Sequence, residues 1–173
     1  MNQRVVGMIM AGVSLTGAGS VWAADPVELT TRVSGSVETV LVRPGQRVKK
    51  GAALLRLDAT VLRAQLDEAE AEYARAQADD ADAKRELERA QELFDRTVSS
   101  TSELDAAGLR AARAKAALSV SQARRVIARK NLADAELKAP FDGVVRAVPG
   151  APGTVVTADC QPKPLVVLDI DRP

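Results

Sequence analysis

The chain has 173 residues, with 24 Lys or Arg against 23 Asp or Glu, no His, one Cys and 2% aromatic side chains. Without His, Ser-His-Asp and Cys-His nucleophilic sites are excluded; a single Cys allows no disulfide within the chain; and so few aromatics leave almost nothing on which to stack nucleic-acid bases. The length suits roughly one ordinary domain.

Met1 to Ala23 reads as a secretory signal: Arg4 gives a positive start, Val5 to Gly19 is uncharged and largely apolar, and Val21-Trp22-Ala23 puts small residues at the −3 and −1 positions of a cleavage site. Arg4 is the only charge in this segment, so its removal leaves 23 basic and 23 acidic residues and no net pull on nucleic acid or anionic lipid. All three Met leave with it, which leaves Cys160 as the one soft ligand and makes zinc or soft-metal coordination within the chain an unsuitable reading.

Residues 24–58 begin with a short lead-in. From Val33 to Asp58 they carry β-prone residues (Val37, Val40, Val42, Val48, Leu54, Leu55, Leu57) punctuated by Pro44-Gly45 and Lys50-Gly51. Residues 139–173 have the same texture, and the two stretches are weak repeats of one another. Gly35-Ser36-Val37 parallels Gly143-Val144-Val145, Pro44-Gly45 to Val48 parallels Pro152-Gly153 to Val156, and Leu55 to Asp58 parallels Val166 to Asp169. Each piece is too small to bury its apolar face alone, so the two are expected to pack as one small β domain, which the chain leaves at Asp58 and re-enters at Pro140.

Residues 59–138 between them are helical in pattern. From 59 to about 97 there is no Pro or Gly, and Leu62, Leu66, Ala69, Tyr73, Ala76, Asp80, Ala83, Leu87, Ala90 and Phe94 recur at steps of four and three, a heptad seam with one polar interruption at Asp80. Asp58 is placed to cap this arm. Ser99 to Ser102 break it, and Ser100 with Glu103 has the spacing of a capping box that opens a second arm, expected over about 101–138 with Pro140 as its stop. Its seam is Leu104, Ala107, Ala111, Ala114, Leu118, Ser121, Arg125, Ala128 and Leu132. So short a connection folds the arms back antiparallel. Residues 59–97 carry eleven acidic and six basic side chains and residues 101–138 four and eight, so the arms attract, although each exposed pair contributes only ~0.2–1 kcal/mol. With Ala at so many seam positions, the outer half of the hairpin is expected to be less stable than its root.

This layout resembles the periplasmic adaptor subunits known as the membrane fusion protein family, which includes HlyD-like secretion adaptors and the adaptors of resistance–nodulation–division (RND) efflux pumps. Three features carry the likeness over about Val33 to Asp169: Val37 to Val40 through Gly45, Val48 and Gly51 to Leu57-Asp58; Ala139-Pro140-Phe141-Asp142-Gly143-Val144-Val145 on re-entry; and Arg89, Leu93 and Ser100, whose spacing matches the Arg-Leu-Ser tip motif of adaptors that meet TolC-like outer-membrane channels. The fold the resemblance implies is α+β, a split lipoyl-like β-sandwich with a long antiparallel coiled-coil hairpin inserted. The implied function is a periplasmic scaffold that bridges an inner-membrane transporter, RND or ABC in type, to a TolC-like channel, with no catalysis and no cofactor, and with copies packed side by side into a ring or tube. Arg89, Leu93 and Ser100 become the partner-binding residues. Family members usually continue beyond the second lipoyl half into a β-barrel and a membrane-proximal domain, so the sequence reads as a short form without them.

Other readings attach to particular residues. Leu93 lies beside the seam because Phe94 takes the seam position; the plain alternative for Arg89 is a surface pair with Glu86 or Glu92, and for Ser100 a helix cap alone. Asp58, Asp142 and Asp169 are carboxylates near turns, where cap or turn roles outweigh acid–base work. Cys160 reads as a tolerated turn residue, with a disulfide to another chain as its sharper alternative. No phosphate-binding glycine loop is present. A lipoyl or biotinyl carrier would need a Lys at the tight turn after Leu57-Asp58, where the sequence instead opens into the helix. A self-assembling coiled-coil envelope protein remains the structural alternative.

Overall fold

The structure is a computed structural model that describes residues 26–97, 100–158 and 163–171. The signal segment Met1 to Ala23 and Cys160 lie outside the described residues. In chain order come β1 (Val27–Leu29), β2 (Gly35–Val40), β3 (Arg47–Val48), β4 (Ala53–Leu57), α1 (Thr60–Asp95), α2 (Thr101–Asp134), β5 (Glu136–Lys138), β6 (Gly143–Ala147), β7 (Val155–Val156) and β8 (Val166–Ile170). The architecture is the expected one, a β-sandwich with a helical hairpin inserted between its halves.

The strands form two four-stranded sheets, ordered β1-β8-β6-β3 and β5-β4-β2-β7. Each sheet takes two strands from each side of the hairpin. The repeats fall on equivalent places, β2 with β6, β3 with β7 and β4 with β8, in opposite sheets. Their turns use the same device: Gly45 and Gly153 hold φ of 83° and 84°, a left-handed conformation that an L side chain disfavours. The Gly45 N–H donates to the Val145 carbonyl at 2.7 Å and the Gly153 N–H to the Val37 carbonyl at 2.8 Å. The sandwich closes on Leu54, Leu55, Leu165, Leu168, Val145 and Val166, all buried and drawn from both halves. Burying each such side chain contributes on the order of 1.5–3 kcal/mol.

The second arm departs from expectation at its end. It was expected to run to about residue 138, with Pro140 as its stop; α2 ends at Asp134, and Glu136–Lys138 instead form β5 along β4, with Leu55 opposite Leu137 and Arg56 opposite Glu136. The cause is the repeat itself. Against β8 the same place is filled by β1, which lies in the lead-in and pairs Val27 with Leu168. The edge of β4 needs an equivalent partner, and its ladder outcompetes another helical turn. Bonds from Lys138 first, and from Arg56 second, hold the Glu136 carboxyl below its ordinary range. At the root, the Leu57 N–H donates to the Ala135 carbonyl at 2.9 Å and the Asp58 N–H to the Ser36 carbonyl at 2.8 Å, so the helices leave the sandwich from a fixed base.

The re-entry sequence is a structural clasp. Ala139 is buried and exchanges backbone bonds with Gly51 and Ala52, while Asp142 Oδ1 accepts from the Lys50 N–H at 2.6 Å. Gly143 has no room for a side chain, because a Cβ there would overlap the Asp169 carbonyl oxygen on β8. Both features join residues that are distant in sequence.

In the hairpin the seam residues of α1 are those least exposed, with Leu62, Ala69, Ala76 and Asp80 buried. Opposite them, Ala107 and Ser121 of α2 are buried and Arg125 lies over the Tyr73 ring, 3.9 Å from its centroid. Three ion pairs cross between the arms, Glu70–Arg129, Glu72–Arg124 and Glu86–Arg110, at 2.8–2.9 Å. All are half-exposed, so they fix register more than they add stability. Asp80 is a weak point: Lys84 pairs with Oδ2 at 2.6 Å, but Oδ1 is buried and, among the described residues, has no hydrogen-bond donor.

Two outcomes follow. Gly143→Ala forces β6 from β8 and should lower unfolding free energy by ~1–3 kcal/mol or more, as read by thermal or denaturant melting. Asp80→Ala restores the small apolar seam and removes the orphaned oxygen, so the hairpin should become more stable by roughly 1 kcal/mol, with the loss of the Lys84 pair offsetting part of the gain. A fall in stability for Asp80→Ala would mean that the buried pair is net favourable.

Candidate functional site

The hairpin projects from the sandwich as a 36-residue α1 and a 34-residue α2. At ~1.5 Å per residue it reaches on the order of 50 Å from its root. Its far end is built from the close of α1 and the start of α2. Phe94 is half-buried in the seam, which turns the adjacent Leu93 outward, and Leu93 is 45% exposed. Arg89 lies one turn before Leu93, exposed, and among the described residues it has no ion pair with either candidate, Glu86 or Glu92; Glu86 pairs instead with Arg110 across the hairpin. α1 closes with Thr97 at φ 59°, a left-handed residue that ends the helix, and the Thr97 N–H donates to the Phe94 carbonyl at 2.9 Å.

Ser100 opens α2 with extended backbone, and the capping box is complete: Ser100 Oγ accepts from the Glu103 N–H, and a Glu103 carboxylate oxygen accepts from the Ser100 N–H at 3.2 Å. Ser102 Oγ lies 3.0 Å from Ser100 Oγ. The fold thus brings Arg89, Leu93 and Ser100 to one end of one rod, with an apolar side chain and a cation on the surface and a serine that caps the start of α2.

The other singled-out carboxylates are engaged structurally. Asp58 accepts from the Thr60 N–H at 2.9 Å and from the Thr60 hydroxyl at 2.7 Å. Those bonds, the backbone one foremost, lower its pKa. The N-cap itself is Ala59, so Asp58 acts one residue earlier than a standard cap. Asp142 holds the clasp, and Asp169 lies 3.6 Å from Arg146. A cleft of about 670 Å³ lies at the hairpin root, lined in part by Arg32, Ser34, Asp58, Gln65 and Asn131, and its Asp58 carboxylate is bonded to Thr60. Among the described residues no group of three or more His, Cys, Asp or Glu is placed to hold a metal ion, and no helix is long and apolar enough to cross a membrane.

One family model, the barrel-sandwich hybrid domain of RND membrane fusion proteins, matches residues 25–169, which take in the sandwich and the inserted hairpin. The chain belongs to this family. Among membrane fusion relatives, the multidrug resistance protein MdtA of Cronobacter turicensis is 32% identical over 131 residues, which cover 76% of this chain and 32% of that protein. The chain thus spans about a third of the length of the curated relatives it matches. A MacA–MexA chimera that contains the Pseudomonas aeruginosa MexA α-hairpin domain superimposes with a TM-score of 0.57 at 27% identity, over 86% of this chain and 47% of the other. MacA of Actinobacillus actinomycetemcomitans has the same fold, with a TM-score of 0.59 at 24% identity over 86% of this chain and 50% of the other.

The capping role of Ser100 can be separated from the contact role that the tip motif leads one to expect. Ser100→Ala should cost ~0.5–2 kcal/mol of local stability, read as faster amide exchange in the first turn of α2. Ser100→Asp keeps the cap, so exchange should stay near wild type. Any loss of partner capture in the Asp variant then reports contact and not geometry.

Proposed function

We propose that this chain is the hairpin-bearing part of a periplasmic efflux adaptor, in which the tip docks on a TolC-like outer-membrane channel and the assembly reaches back to an inner-membrane transporter. The single observation that carries this is the pairing of outward Leu93 with Arg89, which has no ion pair among the described residues, at the far end of the hairpin. An apolar anchor next to a cation with no ion pair among the described residues suits a protein surface, since binding energy concentrates in a few such side chains. Membership of the RND membrane fusion family favours an RND transporter over an ABC one, and relatives named multidrug resistance proteins favour efflux as the process. The work is scaffolding and sealing: the rod spans a distance and the tip excludes solvent at a joint, with no bond made or broken.

The test is a photo-reactive residue at Leu93, with a control at exposed Glu38 on β2, in cells that make the channel. The expected product is an adduct of the channel from Leu93 and not from Glu38. Adding Arg89→Ala should cut that capture about ten-fold, the effect of losing roughly 1.4 kcal/mol at the contact. Self-adducts alone, with the channel present, would contradict the proposal and return the chain to the self-assembling coiled-coil reading.

A further inference from the structure

The seam of the hairpin repeats too closely to fix its own register. Arg125 over Tyr73 and the Glu72–Arg124 pair set the level of the two arms. Counted from them at equal rise, Ala76 faces Ser121, Ala83 faces Ala114 and Ala90 faces Ala107 in the close layers. These small residues recur every heptad. Sliding one arm along the other by a heptad therefore sets small on small again, with Ala76 on Ala128, Ala83 on Ser121 and Ala90 on Ala114.

The wide layers between them do change, and two of them hold unmet polar atoms. Asp80 is 4% exposed, and its Oδ1 has no hydrogen-bond partner among the described residues; the same holds for the buried Nε of Arg125. Asp80 lies level with Leu118 and Arg125 with Tyr73, one heptad apart. When α2 moves a heptad toward the tip, Asp80 faces Arg125 and Leu87 faces Leu118. Arg124 leaves Glu72 for Asp79, which has no ion pair among the described residues. A slip the other way sets Asp80 on Ala111 and Leu66 on Arg125, and matches neither group. The forward slip breaks Glu70–Arg129 and Glu86–Arg110, but both pairs are half-exposed and weak.

The two ends of the hairpin respond differently. A heptad of helix is ~10 Å long. At the tip, the extended connection from Asp95 to Thr101 reaches up to about 20 Å, enough for the slip and for the ~8–10 Å between helix axes. The root has no such slack. β5 follows α2 after one residue, the Ala135 carbonyl accepts from the Leu57 N–H at 2.9 Å, and Ala139 is tied to Gly51 and Ala52. α2 can advance only when β5 leaves β4.

We propose that the hairpin has a second register one heptad away, in which Asp80 pairs with Arg125, and that β5 on β4 is the latch that holds the observed one. Packed helices have discrete arrangements and pass between them in steps of this kind. Release of the latch carries the start of α2 ~10 Å outward past Leu93, so a change at the sandwich edge is felt at the far end of the rod. The slip does not depend on channel docking, and a failure of one leaves the other standing.

The test uses the full chain in the Cys160→Ser background under mild oxidation. Ser121→Cys is combined with Ala76→Cys to report the observed register, or with Ala83→Cys to report the slipped one. With the root intact, the disulfide between positions 76 and 121 should exceed that between 83 and 121 by at least about ten-fold. Four glycines inserted between Ala135 and Glu136 add ~13 Å of slack and leave β5 in place. They should raise the 83–121 disulfide at least about ten-fold, with helicity and melting of the sandwich unchanged, and Asp80→Ala in the lengthened chain should lower it again by about as much. A dominant 83–121 disulfide with the root intact would overturn the latch. No rise on lengthening, or a rise that survives Asp80→Ala, would overturn the second register as a product of the Asp80–Arg125 pair.

Discussion

Neither half of this sandwich can complete a sheet. β1 and β3 flank β8 and β6 in one sheet, and β5 and β7 flank β4 and β2 in the other. Every pairing but β2 with β4 and β6 with β8 therefore joins residues on opposite sides of the hairpin. Loop closure over so many residues costs entropy, and the antiparallel helix pair reduces that cost by bringing Asp58 and Ala135 together as it forms. The hairpin is then more than an insertion carried by the β domain: its register decides whether the two halves meet. The clasp of Asp142 on the Lys50 N–H, and Gly143 pressed against Asp169, lock the halves once they have met.

The rod that results is stiff in direction and light in energy. Eight of its nineteen seam positions are alanine, its crossing ion pairs are half-exposed, and its middle buries Asp80 with one oxygen that has no hydrogen-bond donor among the described residues. Little apolar area is buried per turn, so stability should fall from the root, where Leu62 joins the sandwich core, toward Phe94 at the tip. Such a gradient would suit the docking proposed for the tip, because that end could adjust while the base stays fixed. It also leaves apolar side chains exposed, Leu93 at the tip and Leu109, Val120 and Ile127 along α2.

Much of this was legible from residues. The four-three spacing located the α1 seam through the polar Asp80, because helical period does not depend on which side chain occupies a position. The repeat located equivalent turns, because a left-handed turn beside a sheet needs Gly and leaves a trace at Gly45 and Gly153. β5 was not legible: Ala135 to Ala139 are strong helix formers, and only the vacant edge of β4 makes them a strand. β1 was hidden for the same reason, three residues whose partner lies far along the chain. The bond from Asp142 to Lys50 crosses 92 residues and has no local signal. At the tip, spacing showed that Leu93 leaves the seam, but its meaning as a contact came from resemblance. The α2 seam was legible too, and Ala107 and Ser121 within it are buried as its spacing required.

The most direct measurement is native-state hydrogen exchange at the amides that bridge the halves: Val37, Gly45, Leu57, Val145 and Gly153. If the sheets are one cooperative unit built by exchange of strands, these amides open together, with a single free energy equal to that of global unfolding, while amides near the hairpin tip open at lower cost. Exchange at Val145 and Gly153 while Leu57 stays protected would mean that the first half and the hairpin root hold without the second, and the interlocked sandwich would be the wrong description.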